Sequence, residues 1–365
     1  MSEWQTFCLK DLGKIVGGAT PSTNNPKNYG NKIAWITPKD LSTLQGRYIK
    51  KGSRSISRLG FKSCSCVLLP KHAILFSSRA PIGYVAIAKK RLCTNQGFKS
   101  IIPNKKIYFE FLYYLLKYHK DNISNIGGGT TFKEVSGATL GLFKVKVPPT
   151  YYEQQKIART LSILDQKIEN NHKINELLHT LAYKIYEYYF KYKPKNAKLE
   201  QIIIENPKSS IMVKNAQKTQ DKYPFFTSGD NILSYPKAII DGRNCFLNTG
   251  GNAGIKFYVG KASYSTDTWC ICANEFSDYL YLLLSSIKNH INQSFFQGTS
   301  LKHLQKNLLK KYPIYMPSAH EIKKFNQIIM PLLTLISINT RTSKKLEQIR
   351  DFLLPLLLKQ QVKPQ

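Results

Sequence analysis

"IENNHKINELLHTLAYKIYEYYF", residues 168–190, reads as a long amphipathic helix whose apolar stripe breaks at Asn171 and again at Asn175. Extended in alternating steps of four and three, the stripe runs Ile157, Leu161, Leu164, Ile168, Asn171, Asn175, Leu178, Ala182, Ile185, Tyr189. Eight of these ten positions are apolar, more than a hydrophobic content of 42 % supplies by chance. A shift of 168 residues gives a second stripe: Phe325, Ile329, Leu332, Ile336, Asn339, Ser343, Leu346, Arg350, Leu353, Leu357. Its polar break falls at the same place. Four-three spacing over several heptads is the coiled-coil pattern, and a polar seam residue gives up stability to fix register. Two helices of one molecule, paired with each other, are therefore expected. Asn171/Asn175 and Asn339/Ser343 then set the register; the competing reading is that these positions are merely solvated. Helices of roughly 35–38 residues would be about 55 Å long. Pro331 and Pro355 are expected to kink or end the second one locally.

The repeat continues upstream. "GGGTTFKEVSG" (127–137) parallels "FQGTSLKHLQK" (296–306), with Gly129 matching Gly298. "VPPTYYEQQKIA" (147–158) parallels "MPSAHEIKKFN" (316–326). "SSRAPIGYVAIA" (77–88) is loosely answered by "NTGGNAGIKFYVG" (248–260). The rest of the two halves differs. The chain thus reads globule (1–150), helix (151–193), globule (194–317), helix (318–365).

With 365 residues, the chain suits two domains better than one core. Net charge is +32. Such a charge repels itself unless an anionic partner offsets it, with nucleic acid the leading candidate and an anionic membrane surface second. Residues 1–150 carry +18 and residues 194–317 carry +7, while 151–193 carry only +2 and 318–365 carry +5. Phosphate binding therefore belongs mainly to the globules, and the first helix reads as a protein-facing spacer. An amphipathic membrane helix would concentrate lysines on itself. "MSEWQTFCLKDLG" carries Glu3 and Asp11 where a secretory leader needs an apolar run, and "FLLPLLL" (352–358) is too short to span a bilayer. A soluble cytoplasmic protein is expected.

Little chemistry is visible. The cysteines are Cys8, Cys64, Cys66, Cys93, Cys245, Cys270 and Cys272, an odd number that argues against a disulfide framework. The two C-x-C pairs lack the C-x-x-C spacing of a zinc site, so "CVLL" (66–69) and "CICA" (270–273) read as strands with buried thiols. No histidines stand at metal-ligand spacing. "NPKS" at Asn206 lacks the second proline and aromatic residue of an adenine-methyltransferase loop, and neither "GGGTTF" nor "TGGNAG" is a P-loop. Only 22 acidic residues are available for a magnesium cluster. "EIK" (321–323) sits at a helix start.

In this order, and duplicated, the motifs resemble the specificity subunit of type I restriction–modification enzymes. The resemblance rests on "LGKIVGGATPS", "IAWITPKDLS", "ILFSSRAPIGYVAIA", "TNQGFKSIIP" and "VPPTYYEQQKIARTLSILDQKIENN", then on "YPFFTSGDNILSY", "NTGGNAGIKFYVG" and "FQGTSLKHL". It implies an α+β molecule with a pseudo-two-fold repeat. Two small mixed α/β target-recognition domains would be separated by two long helices pairing as an antiparallel coiled coil. Each domain would read one half of a split double-stranded DNA sequence. The helices would dock two methyltransferase (modification) subunits, which two restriction (motor-nuclease) subunits can join. The subunit would have no catalytic activity, metal or cofactor of its own; S-adenosylmethionine, Mg2+ and ATP would belong to the partners.

Carried onto this sequence, the resemblance points in the first domain to Thr37, Lys39, Arg79, Asn95, Gln96, Thr130 and Lys133 as DNA-binding residues. In the second it points to Ser228, Asp230, Asn248, Asn252, Thr299, Ser300, Lys302 and His303. For Arg79 a structural ion pair is the equal alternative. "ITPKDLS" has no clear counterpart in the second half. Two competing functions stand beside this one: a non-specific basic nucleic-acid scaffold, and the remnant of a fused restriction or methylation enzyme.

Overall fold

The computed structural model describes residues 3–129, 133–216 and 222–364. The chain forms two compact units, Met1–Asn170 with Ser343–Gln365, and Asn171–Thr342. The units part within the long helices, so each globule takes half of both helices with it.

The first long helix spans Tyr151–Tyr186 and ends in a π-turn, Glu187–Lys191. Thr150 starts it, its hydroxyl accepting from the Glu153 N–H at 3.2 Å. The second spans Ala319–Leu358. Ser318 and Glu321 close its first turn as a capping box, with Glu321 accepting from the Ser318 N–H at 2.9 Å and Ser318 accepting from the Glu321 N–H at 3.3 Å. The glutamate of "EIK" thus caps a helix. The helix runs through both Pro331 and Pro355, so of the two outcomes expected, a kink or an end, neither proline ends it. Proline in a helix interior costs about 3 kcal/mol, and burial of Ile329, Leu333, Ile336, Leu354 and Leu357 outweighs it.

Within each unit the two helical halves run antiparallel. In the second unit Asn175 meets Asn339, while Phe190 packs on Phe325 with ring centroids 4.9 Å apart. In the first, Arg350 reaches Asp165 at 2.7 Å, and Ile157, Ala158 and Leu161 share a core with Leu354, Leu357 and Leu358. Of the seam positions, Ile157, Leu161, Ile168, Ala182, Phe325, Ile329, Ile336, Ser343 and Leu357 are buried. Leu164, Asn171, Asn175, Leu178, Ile185, Leu332, Asn339, Leu346 and Leu353 are half-buried. Leu333 and Leu354 lie deeper than their neighbours Leu332 and Leu353. A helix of 3.6 residues per turn drifts off a strict 3.5 repeat, and the buried face moves with it.

The first globule holds a five-stranded sheet in the order Gly13–Gly17, Lys99–Pro103, Ile74–Phe76, Val85–Ala88, Tyr48–Ile49, and a three-stranded sheet in the order Arg54–Ile56, Tyr29–Ile36, Cys93–Thr94. The second globule repeats the plan. Its four-stranded sheet runs Ile204–Glu205, Thr268–Cys272, Arg243–Asn248, Ile255–Val259, and its three-stranded sheet runs Leu233–Tyr235, Tyr223–Phe226, Ser263–Tyr264. In both, the middle strand of the smaller sheet pairs antiparallel with a strand that follows it closely in the chain and parallel with a more distant one. A helix follows the last main-sheet strand, Phe109–Asn125 in the first globule and Ser277–Ser286 in the second.

"ILFSSRAPIGYVAIA" forms the expected strand, turn and strand, and "CICA" lies in the strand Thr268–Cys272. "CVLL" does not form a strand. Among its four residues only Leu69 makes a bridge, to Leu92, while the Cys66 thiol donates to the Ala19 carbonyl.

Candidate nucleic-acid interface

At one end of the strands each globule gathers loops from distant parts of the chain. The two gatherings share their backbone wiring. The residue after the parallel strand bonds back to the middle strand: Asn95 N–H to the Ile36 carbonyl, and Ser265 N–H to the Phe226 carbonyl, both at 2.9 Å. The turn between two adjacent antiparallel strands of the main sheet closes alike, from Ser77 N–H to the Tyr84 carbonyl and from Asn248 N–H to the Gly254 carbonyl. Inside those turns Ser77 Oγ donates to the Pro81 carbonyl and Asn248 Nδ2 to the Asn252 carbonyl. The next residue clamps the neighbouring loop with its N–H and hydroxyl together: Ser78 to the Gly97 carbonyl, Thr249 to the Asp267 carbonyl. A last extended segment then docks on it, Val135 N–H to the Ser78 carbonyl and Leu304 N–H to the Thr249 carbonyl, both at 3.0 Å. Gly129 and Gly298, matched by sequence, both have positive φ, which a side chain would strain.

This framework corrects one reading. "ITPKDLS" does have a counterpart: Thr37–Asp40 follows the middle strand of the first globule as Thr227–Asp230 follows that of the second. Only the threonine and aspartate are shared, too little to align without the strands. In the first globule Asp40 is bound into a capping box. It accepts from the Thr37 N–H and the Ser53 N–H at 2.7 Å each and from the Thr37 hydroxyl at 2.8 Å. Burial opposes ionisation there, but these donors outweigh it and hold the carboxyl below its ordinary value. Asp230 is exposed instead.

Lys39, Gln96 and Lys133 are exposed in the first loop cluster, and Gln96 accepts from the Thr20 hydroxyl. Thr37 and Asn95 are half-buried and hold loops, Asn95 Oδ1 accepting from the Gly97 N–H at 3.0 Å. Arg79 pairs with Glu134 at 3.5 Å. Thr130 lies outside the described residues. In the second cluster Asn252, Thr299, Ser300, Lys302 and His303 are exposed alongside Asp230. Ser228 is half-buried and donates to the Asp267 carbonyl. Asn248 is buried, and its Oδ1 accepts from Lys256 Nζ at 3.2 Å.

Sequence reading missed Glu134, Lys99 and Lys256. Lys256 Nζ donates to the Thr227 carbonyl at 2.9 Å as well as to Asn248, tying two loops together. Burial lowers the lysine's pKa, with Asp230 and Asp267 opposing the shift. Among the described residues no group of three or more His, Cys, Asp or Glu is placed to hold a metal ion, and no helix is long and apolar enough to cross a membrane.

Two loop clusters on one repeated framework, set in strongly basic globules and joined by duplicated helices, define a two-headed binding protein for a polyanion. Comparison with known proteins narrows this. Residues 1–180 and 195–348 match the family described as type I restriction modification DNA specificity domain. The chain is 32 % identical to the type I restriction enzyme MjaIX specificity subunit of Methanocaldococcus jannaschii, over 98 % of this chain and 93 % of that one. It is 30 % identical to the HindI specificity subunit of Haemophilus influenzae over 46 % of this chain and 37 % of that protein. The crystal structure of the S subunit of a type I restriction–modification system from M. genitalium superposes with a TM-score of 0.62 at 18 % identity, covering 97 % of this chain and 96 % of that one. The chain belongs to the family of type I restriction–modification DNA specificity subunits.

Proposed function

We propose that each loop cluster reads one half of a bipartite, asymmetric double-stranded DNA target, and that the subunit itself performs no chemistry. The carrying observation is the shared hydrogen-bond framework with unlike exposed side chains: Lys39, Gln96 and Lys133 on one head, Asp230, Asn252, Thr299, Lys302 and His303 on the other. One scaffold with two different surfaces suits one protein that reads two different half-sites. Base edges in the major groove distinguish all four pairs through donors and acceptors of this kind, while lysines and arginines hold the phosphates. The paired helices, nearly neutral in their first member, dock two modification subunits and set the gap between half-sites; two restriction subunits join that core. S-adenosylmethionine, Mg2+ and ATP act on those partners, in the cytoplasm.

The test is methylation mapping by long-read sequencing of DNA from cells expressing this chain with a cognate modification subunit. A split motif of two unlike halves, carrying adenine methylation that vanishes when this chain is deleted, is expected. A soluble complex that methylates no motif would overturn the reading in favour of the non-specific scaffold.

A further inference from the structure

Glu134 of the first globule and His303 of the second occupy one position of the shared framework. Gly128 bridges Glu134 as Gln297 pairs with His303, and the next residues, Val135 and Leu304, are buried and dock on Ser78 and Thr249. Strand alternation turns residues 134 and 303 outward as it turns their neighbours in. The side chains around this position differ completely. Glu134 lies between Arg79 Nη1 at 3.5 Å and Lys99 Nζ at 3.2 Å, with side-chain exposures of 34 %, 37 % and 21 % respectively. In the second globule the places of Arg79 and Lys99 are taken by Gly250, which bridges His303, and by Trp269.

A half-exposed carboxylate on this surface needs a reason. The first 150 residues carry +18, and phosphates repel a carboxylate. Glu134 caps no helix. One carboxylate oxygen contacts each cation, leaving lone pairs open to further donors. Glutamate reads DNA by accepting from the exocyclic amino group of cytosine in the major groove. Held by two cations, Glu134 meets the duplex already oriented, and its charge is offset until the base amino group arrives.

Building on the DNA-reading function above, we infer that Glu134 is a specificity-determining residue of the first head. It accepts a hydrogen bond from a cytosine amino group, and His303 is its positional twin on the second head. The identity of this one residue then helps make the two half-sites unlike.

The experiment compares wild type, E134Q, E134D and H303Q, each assembled with the modification subunit and checked for an unchanged thermal midpoint. Affinity is measured against the mapped target and every single-base-pair substitution of it. Wild type should lose about tenfold or more at one cytosine-containing pair of one half-site. E134Q should erase that penalty or move the preference to adenine, which glutamine reads, while the other pairs keep theirs. E134D should retain the cytosine preference, and H303Q should alter only the other half-site. If E134Q weakens every duplex alike, or abolishes binding, Glu134 is a structural latch and the inference fails. An unchanged substitution profile also overturns it. Either result leaves the bipartite reading intact, whereas a wild-type complex with no methylated motif removes that reading itself.

Discussion

Asp40 shows how one side chain is committed to structure inside a surface otherwise available to ligand. Three donors converge on its carboxylate within 2.8 Å. Replacing it with asparagine removes the charge from all three bonds and should cost about 1–3 kcal/mol, read as a lower thermal midpoint. The pH dependence follows from the depressed pKa. The stabilisation is present above the unfolded value and is lost as pH falls through the folded one. Wild type should therefore lose stability below about pH 4 that D40N has already given up, so the two melting curves converge in acid. Lys39, its exposed neighbour, has no such commitment. Lys39→Ala should weaken binding to all duplexes alike and reduce the salt slope by about one, the signature of a phosphate contact.

Between the helices, the two asparagines that interrupt the apolar stripes find each other. Asn339 Nδ2 donates to Asn175 Oδ1 at 2.9 Å, and Asn175 Nδ2 points at the Ile336 carbonyl and the Thr340 hydroxyl, 3.4 Å from each. Asn171 and Ser343 lie half-buried and buried. Asn175→Leu alone should destabilise by about 1–3 kcal/mol, because it strands the Asn339 amide. The double change to leucine should recover that loss or exceed it, while higher oligomers appear in light scattering as register is lost. Arginines fasten each globule to its own following helix. Arg47, 3 % exposed, joins Glu110 at 3.0 Å to Glu169 at 3.2 Å, and Arg243 joins Asp278 at 2.5 Å to the Thr334 hydroxyl at 3.0 Å. Arg47→Met strands two carboxylates in a poorly solvated place and should cost about 3–5 kcal/mol in denaturant titration.

At the scale of the whole molecule, charge and repetition set the behaviour. With a net charge of +32, carried mostly by the globules, the logarithm of affinity for random duplex should fall linearly with the logarithm of salt concentration in a binding titration. On the proposed DNA-reading function, selectivity would come from the exposed side chains of the loop clusters, since the framework beneath them is shared.

The long helices were legible because helical periodicity acts within a few residues of chain: the four-three stripe lies in the sequence as written, while the caps Thr150 and Ser318 went unread. The strand–turn–strand of residues 74–88 and the matched Gly129 and Gly298 were legible for the same reason. That the helix runs on through Pro331 was not legible, because local propensity weighs about 3 kcal/mol and the burial that outweighs it is tertiary. The match of Thr37–Asp40 with Thr227–Asp230 depends on parallel pairing of strands far apart in the chain, and only two side chains record it. Glu134 stands 55 residues from Arg79 and 35 from Lys99, and no local pattern announces that they meet. By itself the sequence determined the helices, their duplication, the charge and the family, all written in near-neighbour spacing and composition. Tertiary structure alone decided which residues face each other across the seam and which loops share a surface, because contacts between distant segments depend on chain closure and packing that near-neighbour patterns do not encode.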